Sequence, residues 1–271
     1  MNRKELIEQI KTKRNYLCIG LDTDIEKIPA HLLSEPDPVF SFNKQIIDST
    51  KAYCVSYKIN TAFYEAMGVK GWEAMQKTVE YIPATHFTIA DAKRGDIGNT
   101  SAQYAKAFFE TLGFDAITVA PYMGYDSVQP FLDYKEKWTI VLALTSNKGS
   151  LDFEQLVVTK ENEPNAFLYE VVMKKVAAWG TTDNLMFVLG ATKADHLAEI
   201  RKLYPDHFFL VPGVGFQGGS LAEVSKAALT FDGGLLVNVS RAIIYAGTNE
   251  NFAEEAMQIA AQYDYEMKEY I

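Results

Sequence analysis

Three charged residues in a D-x-K-x-x-D pattern, Asp91, Lys93 and Asp96, form the part of the sequence best suited to moving a proton. Asp91 and Lys93 are two residues apart, so on a β-strand their side chains face the same side. Lys58, at the end of the preceding strand-like run, would add a second ammonium to the two carboxylates. Because such charges are costly to collect in a partly desolvated place, we favour a catalytic cluster. A structural network of ion pairs is the alternative.

A second group of residues suits the binding of a phosphate. Segment 212–219 reads Pro-Gly-Val-Gly-Phe-Gln-Gly-Gly, and its glycines let backbone amides approach an anion closely. By themselves the glycines fit a tight turn equally well. Arg241 supplies a positive charge further along the chain, and with it a phosphate site becomes the favoured interpretation.

The chain as a whole is acidic, with 26 Lys+Arg against 35 Asp+Glu and a formal net charge of −9 at pH 7. Nucleic-acid-binding proteins typically have a basic surface, and an excess of acidic residues does not favour one. We therefore expect no nucleic-acid partner, and any anionic substrate must be attracted by local charge.

The elements that must position these residues alternate regularly along the chain. Eight apolar runs rich in β-branched residues predict strands buried on both faces, and amphipathic segments between them predict helices. The pattern favours one (β/α)8 TIM barrel domain over residues 1–271, with an extra helix at 2–13 and a longer loop at 147–163. The predicted strands are 16–22, 54–60, 86–93, 116–122, 139–146, 185–191, 208–215 and 235–241. The other predicted helices are 40–52, 61–81, 101–112, 164–179, 193–204, 221–228 and 249–270.

In such a barrel the carboxyl ends of the strands meet at one mouth, where the active sites of these folds lie. The charged residues described above all fall at such ends, so we expect them to converge. An open doubly wound sheet is the competing architecture. It would usually carry a G-x-G-x-x-G turn after the first strand, whereas this chain has Gly20-Leu21-Asp22-Thr23-Asp24 there.

Taken in order, the motifs at these strand ends resemble those of the orotidine 5′-phosphate decarboxylase family, and most closely its longer-chain branch. The matching set is highly specific, although any one motif would be weak. It consists of Gly20-Leu21-Asp22, Lys58-Ile59-Asn60 followed by residues 62–65, the run 91–97 with Thr100, segment 212–219, and Ser240-Arg241.

The resemblance implies decarboxylation of orotidine 5′-phosphate (OMP) to UMP and CO2, the last step of de novo UMP synthesis. Lys93 would be the general acid that protonates C6 of the pyrimidine, and Asp91 would lie beside the departing carboxylate. Lys58 and Asp96 would complete the charged network. The reaction would need no metal and no organic cofactor.

The resemblance also implies a set of binding residues. Most of them would contact the nucleotide of their own chain, and two would reach the active site of a partner subunit in a homodimer. Asp22, Lys58 and Thr100 would contact the ribose hydroxyls, Ser146 the pyrimidine edge, Gln217 and Arg241 the phosphate, with Pro212 and Ser240 as further substrate contacts. Asp96 and Thr100 are the residues expected near the site of the partner.

Other features of the sequence limit where the protein acts. No apolar run is long enough to cross a bilayer, and the first ten residues include acidic side chains where a signal peptide is apolar, so we expect a cytoplasmic protein without a membrane partner. Cys18 and Cys54 lie in apolar runs and are interpreted as buried hydrophobic residues.

Three other functions remain open at this stage. A metal-assisted decarboxylase of a sugar-acid phosphate shares the D-x-K-x-x-D pattern but predicts a glutamate at the mouth. An aldolase could form a Schiff base through Lys93 or Lys58. A barrel that binds phosphate without catalysis is the third, since fold does not determine function.

Overall fold

The computed structural model describes residues 1–159, 164–192, 194–215 and 218–271 of the chain. Within them, eight parallel strands close into a barrel, with helices around the outside. This arrangement confirms the predicted (β/α)8 barrel. Its strands are β1 (Leu17–Gly20), β2 (Ser56–Asn60), β3 (Phe87–Arg94), β4 (Ala116–Val119), β5 (Trp138–Leu144), β6 (Leu185–Leu189), β7 (Phe208–Pro212) and β8 (Leu235–Val239).

Neighbouring strands pair in chain order, and β1 closes the ring against β8, where Cys18 lies opposite Asn238. The two faces of each strand are buried in different places. Leu17 and Ile19 of β1 pack in the layer between strands and helices, whereas Cys18 belongs to the cluster inside the barrel. Burial on both faces explains why the strands are continuous apolar runs rather than alternating ones.

Helix α1 (Arg3–Lys13) covers the amino-terminal end of the barrel. Its Leu6 and Ile10 share a buried cluster with Phe87 and Trp138, the first residues of β3 and β5. Asn2 and Glu5 cap this helix reciprocally, each side chain accepting a hydrogen bond from the backbone N–H of the other. With this end covered, the barrel opens at the carboxyl ends of its strands.

The remaining helices follow the predicted order with two differences. The predicted helix 61–81 is interrupted at Gly68, whose φ of +63° separates two shorter helices. Two helices that were not predicted follow β4 and β8, and β4 ends at Val119 rather than at residue 122. The helices are α2 (Pro38–Thr50), α3 (Thr61–Glu65), α4 (Val69–Tyr81), α5 (Gly98–Lys106), α6 (Tyr125–Leu132), α7 (Leu168–Ala177), α8 (Ala194–Leu203), α9 (Leu221–Ala228), α10 (Arg241–Ile244) and α11 (Phe252–Met267).

Strand β3 departs from regular pairing where the D-x-K-x-x-D pattern begins. Its register on β4 shifts between Ala90 and Arg94, so that three residues of β3 lie opposite Thr118 alone. Within this bulge Lys93 adopts a left-handed backbone conformation with a φ of +46°. Such a conformation costs about 1–3 kcal/mol for a residue other than glycine. The surrounding structure must therefore hold Lys93 in it.

The segment predicted as a long loop, 147–163, contains regular structure. A short 3₁₀ helix spans Lys148–Leu151, and the two-residue strands Val157–Val158 and Ala166–Phe167 pair antiparallel. Residues 160–163 lie outside the described part of the chain. The described part of the segment thus includes a short antiparallel strand pair between β5 and α7.

Two further predictions concern membrane-spanning helices and the burial of the cysteines. Among the described residues, none of the helices is both long and apolar enough to cross a bilayer. Cys18 and Cys54 are buried as predicted, and burial raises the pKa of each thiol to about 12. Neither thiol therefore ionises near neutral pH.

Candidate active site

A cavity of about 600 Å³ lies at the carboxyl ends of the strands. Leu142, Val188 and Leu210 give it an apolar surface, and polar side chains from other strands surround the opening. The predicted site residues that line it are Asp22, Lys58, Asp91, Lys93, Ser146, Pro212, Ser240 and Arg241. The fold thus brings together residues from β2, β3 and β7 and from the segments that follow β1, β5 and β8.

Four of these side chains form a chain of alternating charge. The Lys58 Nζ atom lies 3.3 Å from Asp22 Oδ1 and 3.0 Å from Asp91 Oδ2. The other carboxylate oxygen of Asp91, Oδ1, accepts a hydrogen bond from Lys93 Nζ at 2.6 Å. Asp91 therefore stands between two ammonium groups, and Lys58 between two carboxylates.

The protonation states of the inner pair follow from this arrangement. Burial by itself would lower the pKa of Lys58, but the carboxylates of Asp22 and Asp91 outweigh it and raise that pKa above its ordinary value. Burial would likewise raise the pKa of Asp91, but Lys58 and Lys93 hold it well below its ordinary value. At neutral pH Lys58 is thus a cation and Asp91 an anion.

The two lysines differ in how far the protein desolvates them. The Lys58 side chain is 4% exposed, whereas that of Lys93 is 49% exposed. The reason is position, since Lys58 lies within β2 with its side chain inside the barrel, whereas Lys93 lies in the bulge of β3 at the rim. Lys58 is therefore a fixed charge of the interior, and Lys93 is the ammonium that a molecule in the cavity can meet.

The loop that carries Asp22 is fixed by two tyrosines. Tyr64 of α3 donates its hydroxyl hydrogen to the carbonyl of Leu21 at 3.0 Å, and Tyr245 donates to the carbonyl of Asp22 at 3.1 Å. The Tyr245 oxygen also accepts from the backbone N–H of Asp24 at 2.7 Å. Hydrogen bonds to the backbone of Leu21, Asp22 and Asp24 thus fix the loop around Asp22.

Gly20, just before this loop, lies against Ser240 at the junction of β1 and β8. The Ser240 hydroxyl donates to the carbonyl of Gly20 at 3.0 Å, and a Cβ on Gly20 would stand 2.7 Å from the Ser240 Cβ. Only glycine permits this close approach. On the same floor of the cavity the Asn238 Oδ1 atom is buried without a partner among the described residues, so it can accept a hydrogen bond from a molecule in the cavity.

The end of β5, which carries Ser146, is held by a residue that the sequence analysis missed. Glu154 accepts hydrogen bonds from the backbone N–H of Thr145 at 2.7 Å and from its hydroxyl at 2.8 Å. Glu154 comes from the segment predicted to be a loop, where a single acidic residue gives no sequence signal. Its carboxylate fixes the backbone next to Ser146.

The expected phosphate end of the cavity is formed by two segments. Pro212, Gly213 and Val214 line it from β7 and the turn that follows, and Arg241 lines it from the start of α10. Gly213 and Gly215 have φ values of +99° and +78°, so the turn uses backbone conformations that favour glycine. Gln217 lies outside the described residues.

Asp96 and Thr100 do not line the cavity of their own chain. The Asp96 carboxylate accepts a hydrogen bond from the backbone N–H of Ile97, and Thr100 is exposed on α5. One chain therefore brings together Asp22, Lys58, Asp91 and Lys93 but leaves Asp96 outside this group.

Arg94, next to Lys93, has a role that its position in the motif does not reveal. Its guanidinium forms an ion pair with Glu65 of α3, donates to the carbonyl of Ala92 at 3.1 Å and lies over the rings of Tyr104 and Phe108. These contacts turn its charge away from the cavity and tie the bulge of β3 to α3 and α5.

Comparisons with known proteins agree on one family. The model for the orotidine 5′-phosphate decarboxylase / HUMPS family matches residues 15–256. A relative from Christiangramia forsetii named orotidine 5′-phosphate decarboxylase is 61% identical over 267 residues, which cover 95% of this chain and 96% of that protein.

Solved structures are similar over the same extent. The structure of Leishmania donovani OMP decarboxylase has a TM-score of 0.80 and 36% identity, with 98% of this chain and 99% of that chain covered. That of Leishmania donovani UMP synthase has a TM-score of 0.82 and 38% identity, with 96% of this chain but only 56% of that chain covered.

The buried position of Lys58 leads to a prediction about stability. We expect Lys58→Met to lower the free energy of unfolding by about 3–5 kcal/mol at neutral pH, because it leaves two carboxylates facing each other without their cation. Chemical denaturation at several pH values measures this loss. Lys77→Met is the matched control, since Lys77 pairs with Asp37 while 50% exposed and its loss changes stability little.

Asp91 determines whether the free energy of unfolding rises or falls with pH. Because its folded pKa is below the unfolded value of about 3.9, ionised Asp91 stabilises the fold above that pH and loses this contribution as pH falls. The Lys58→Met variant should therefore lose less stability relative to wild type at about pH 4.5 than at about pH 8, since it can protonate a carboxyl that wild type keeps ionised. An equal loss at both pH values would contradict this account.

Proposed function

The chain belongs to the orotidine 5′-phosphate decarboxylase / HUMPS family, and on this premise we propose that it is a carboxy-lyase that converts OMP into UMP and CO2. This reaction is the last step of de novo UMP synthesis. The observation that carries the assignment is the Asp22–Lys58–Asp91–Lys93 chain of charges at the mouth of the barrel, which presents one accessible ammonium to the cavity. The proposal takes residues 1–271 as one barrel unit and requires no metal or organic cofactor.

The chemistry requires a positive charge at C6 of the pyrimidine. When the bond from C6 to the carboxylate breaks, its electron pair stays in the plane of the ring, where the π system cannot delocalise it. The Lys93 ammonium stabilises this charge and then transfers a proton to C6, while CO2 departs. Lys93 is left as a neutral amine and regains its proton from solvent.

Asp91 has two functions in this proposal. Its hydrogen bond to Lys93 Nζ directs the ammonium, and its own negative charge lies beside the carboxylate of the substrate. Repulsion between these anions is relieved as CO2 leaves, so the site favours the transition state over the bound substrate. Lys58 keeps Asp91 ionised and in place.

The nucleotide would lie across the cavity with its phosphate on the far side from Lys93. Ser146 would contact the pyrimidine edge, and Asp22 and Lys58 the ribose hydroxyls. The phosphate would bind Arg241 and Gln217, near Pro212 and Ser240. Binding energy from this remote phosphate would hold the turn after β7 closed and so assemble the geometry around C6.

We extend the proposal to a homodimer in which Asp96 and Thr100 reach the cavity of the partner. The support is their location, because both lie outside their own cavity on the segment after β3. Ile97 in that segment is 58% exposed and Tyr122 in the loop after β4 is 88% exposed, which gives the same region apolar surface for a second copy. Since OMP and UMP are phosphorylated and do not cross bilayers, the proposed location is the cytoplasm, with no membrane or nucleic-acid partner.

A metal-assisted decarboxylase and an aldolase acting through Lys58 fit the described cavity less well. The metal-assisted decarboxylase predicts a glutamate at the mouth, but the described residues that line the cavity include none. The carboxylates that do line it, Asp22 and Asp91, each bind a lysine. A Schiff base needs a neutral amine, whereas the raised pKa of Lys58 keeps that amine protonated.

The role of Lys93 is tested by Lys93→Ala. We expect UMP formation to fall by at least about 10³-fold while UMP still binds, because the variant lacks only the group that acts on the transition state. The absorbance change on conversion of OMP, followed in excess chelator, measures turnover, and calorimetry measures UMP binding. Lys202→Ala, at an exposed lysine of α8, is the control that should match wild type. Near-wild-type turnover of Lys93→Ala would falsify the assignment of the acid.

The role of Arg241 is tested through the phosphate. We expect Arg241→Ala to lower kcat/KM for OMP by about 10²-fold, the scale of one charge-assisted contact, and guanidinium ion in solution to restore part of the loss. For orotidine, which lacks the phosphate, the same substitution should change kcat/KM little. If both substrates lose activity equally, Arg241 does not bind the phosphate.

A shared active site predicts that two inactive variants restore each other. Asp96→Ala and Lys93→Ala subunits are mixed, dissociated and allowed to reassociate, and OMP turnover is followed. Random pairing gives half mixed dimers, each with one intact site, so activity should recover to roughly a quarter of wild type. If Asp96 acted in its own chain, no mixed dimer would hold an intact site and activity would stay absent.

A further inference from the structure

Thr118 of β4 lies directly beneath the charged cluster without lining the cavity. Its neighbours Ile117 and Val119 pack in the layer between strands and helices, so the side chain of Thr118 points into the barrel. It is completely buried. A hydroxyl buried in this way needs hydrogen-bond partners, and both of its partners belong to the proposed catalytic pair.

The Thr118 hydroxyl links the backbone of Lys93 to the carboxylate of Asp91. Its oxygen accepts from the backbone N–H of Lys93 at 2.9 Å, and its hydrogen is donated to Asp91 Oδ1 at 3.0 Å. The same Oδ1 atom accepts from Lys93 Nζ at 2.6 Å. The backbone N–H of Lys93 thus bonds the Thr118 hydroxyl, and the Lys93 Nζ atom bonds the same carboxylate oxygen that this hydroxyl bonds.

This arrangement accounts for the bulge in β3. Along a regular strand, N–H groups point alternately to the two neighbouring strands, and the N–H of Phe87 bonds Val55 on the β2 side. The N–H of Lys93 would face that same side in a regular strand, but at the bulge it donates to the hydroxyl of Thr118 on β4 while Lys93 holds its left-handed backbone conformation. A side chain without a hydroxyl would leave this N–H without its present partner and Asp91 Oδ1 with one donor fewer.

We propose that Thr118 is a positioning residue for the reaction: its hydroxyl holds the left-handed turn at Lys93 and thereby sets the place of the ammonium relative to Asp91 and C6. The inference rests on the proposed function, because it assumes that Lys93 is the acid. Thr118 itself does not touch the substrate. Replacing Thr118 should therefore lower kcat and leave nucleotide binding nearly unchanged.

Thr139 provides a matched control on the neighbouring strand. It is completely buried on β5, as Thr118 is on β4, but its hydroxyl has no partner within the described part of the chain. Replacing each threonine by valine removes one hydroxyl from an otherwise similar buried side chain. Only at position 118 does the change break contacts to Lys93 and Asp91.

The test compares Thr118→Val, Thr118→Ser, Thr118→Cys and Thr139→Val in OMP turnover and UMP binding. We expect Thr118→Val to lower kcat by about 10²-fold, since a misplaced catalytic group costs on this order, with UMP affinity within about threefold of wild type. Thr118→Ser keeps the hydroxyl and should retain most of kcat. Thr118→Cys is similar in size to serine but bonds weakly, so it should lose kcat and replaces the valine variant if that one does not fold.

A crystal structure of Thr118→Val, or of Thr118→Cys, gives a second readout that does not depend on activity. We expect Lys93 to leave the left-handed region and its Nζ to move away from Asp91. An unchanged Lys93, wild-type kcat in both variants, or equal kcat losses in Thr118→Val and Thr139→Val would overturn the inference. If wild type does not convert OMP at all, the proposed function fails, while the crystal structure still decides whether Thr118 holds Lys93.

Discussion

The structure of the mouth depends on one buried cation. Lys58 lies inside the barrel between Asp22 and Asp91, and those two carboxylates offset the energy of placing an ammonium there. The same pairing keeps Asp91 ionised, which in turn gives Lys93 a fixed anion to bind. Each member of this chain of charges therefore determines the charge of the next. Lys93, whose ammonium is accessible, is its last member.

The barrel makes this arrangement possible because parallel strands end at one place. Residues far apart in sequence, such as Asp22 and Arg241, reach the same cavity from opposite ends of the chain because β1 pairs with β8. Helix α1 covers the other end, so the apolar interior supports the site from below. The loops above it are held by side chains of their own, Tyr64 and Tyr245 at one side and Glu154 at the other.

Much of this could be predicted from the sequence, and the limits have physical causes. Strands buried on both faces give long apolar runs, so their number and order were correct, but polar residues at the mouth made several of them two or three residues too long. The bulge of β3 could not be predicted, because Asp-Ala-Lys-Arg fits a regular strand as well as an irregular one. Glu154 and Thr118 were missed because a single acidic or hydroxyl side chain has no characteristic spacing. Asp96 lies outside the cavity of its own chain, and the role proposed for it depends on a second chain, which a single sequence does not describe.

The bulge also bears on how such a site could be transferred to another scaffold. A designer who copied only the aspartate and lysine onto a regular strand of a different barrel would reproduce the residue types with the wrong backbone. The irregular register of β3 on β4 and the φ of +46° at Lys93 are part of the geometry of the proposed site. The smallest portable unit is therefore a pair of adjacent strands with their mismatch intact, rather than a motif of side chains.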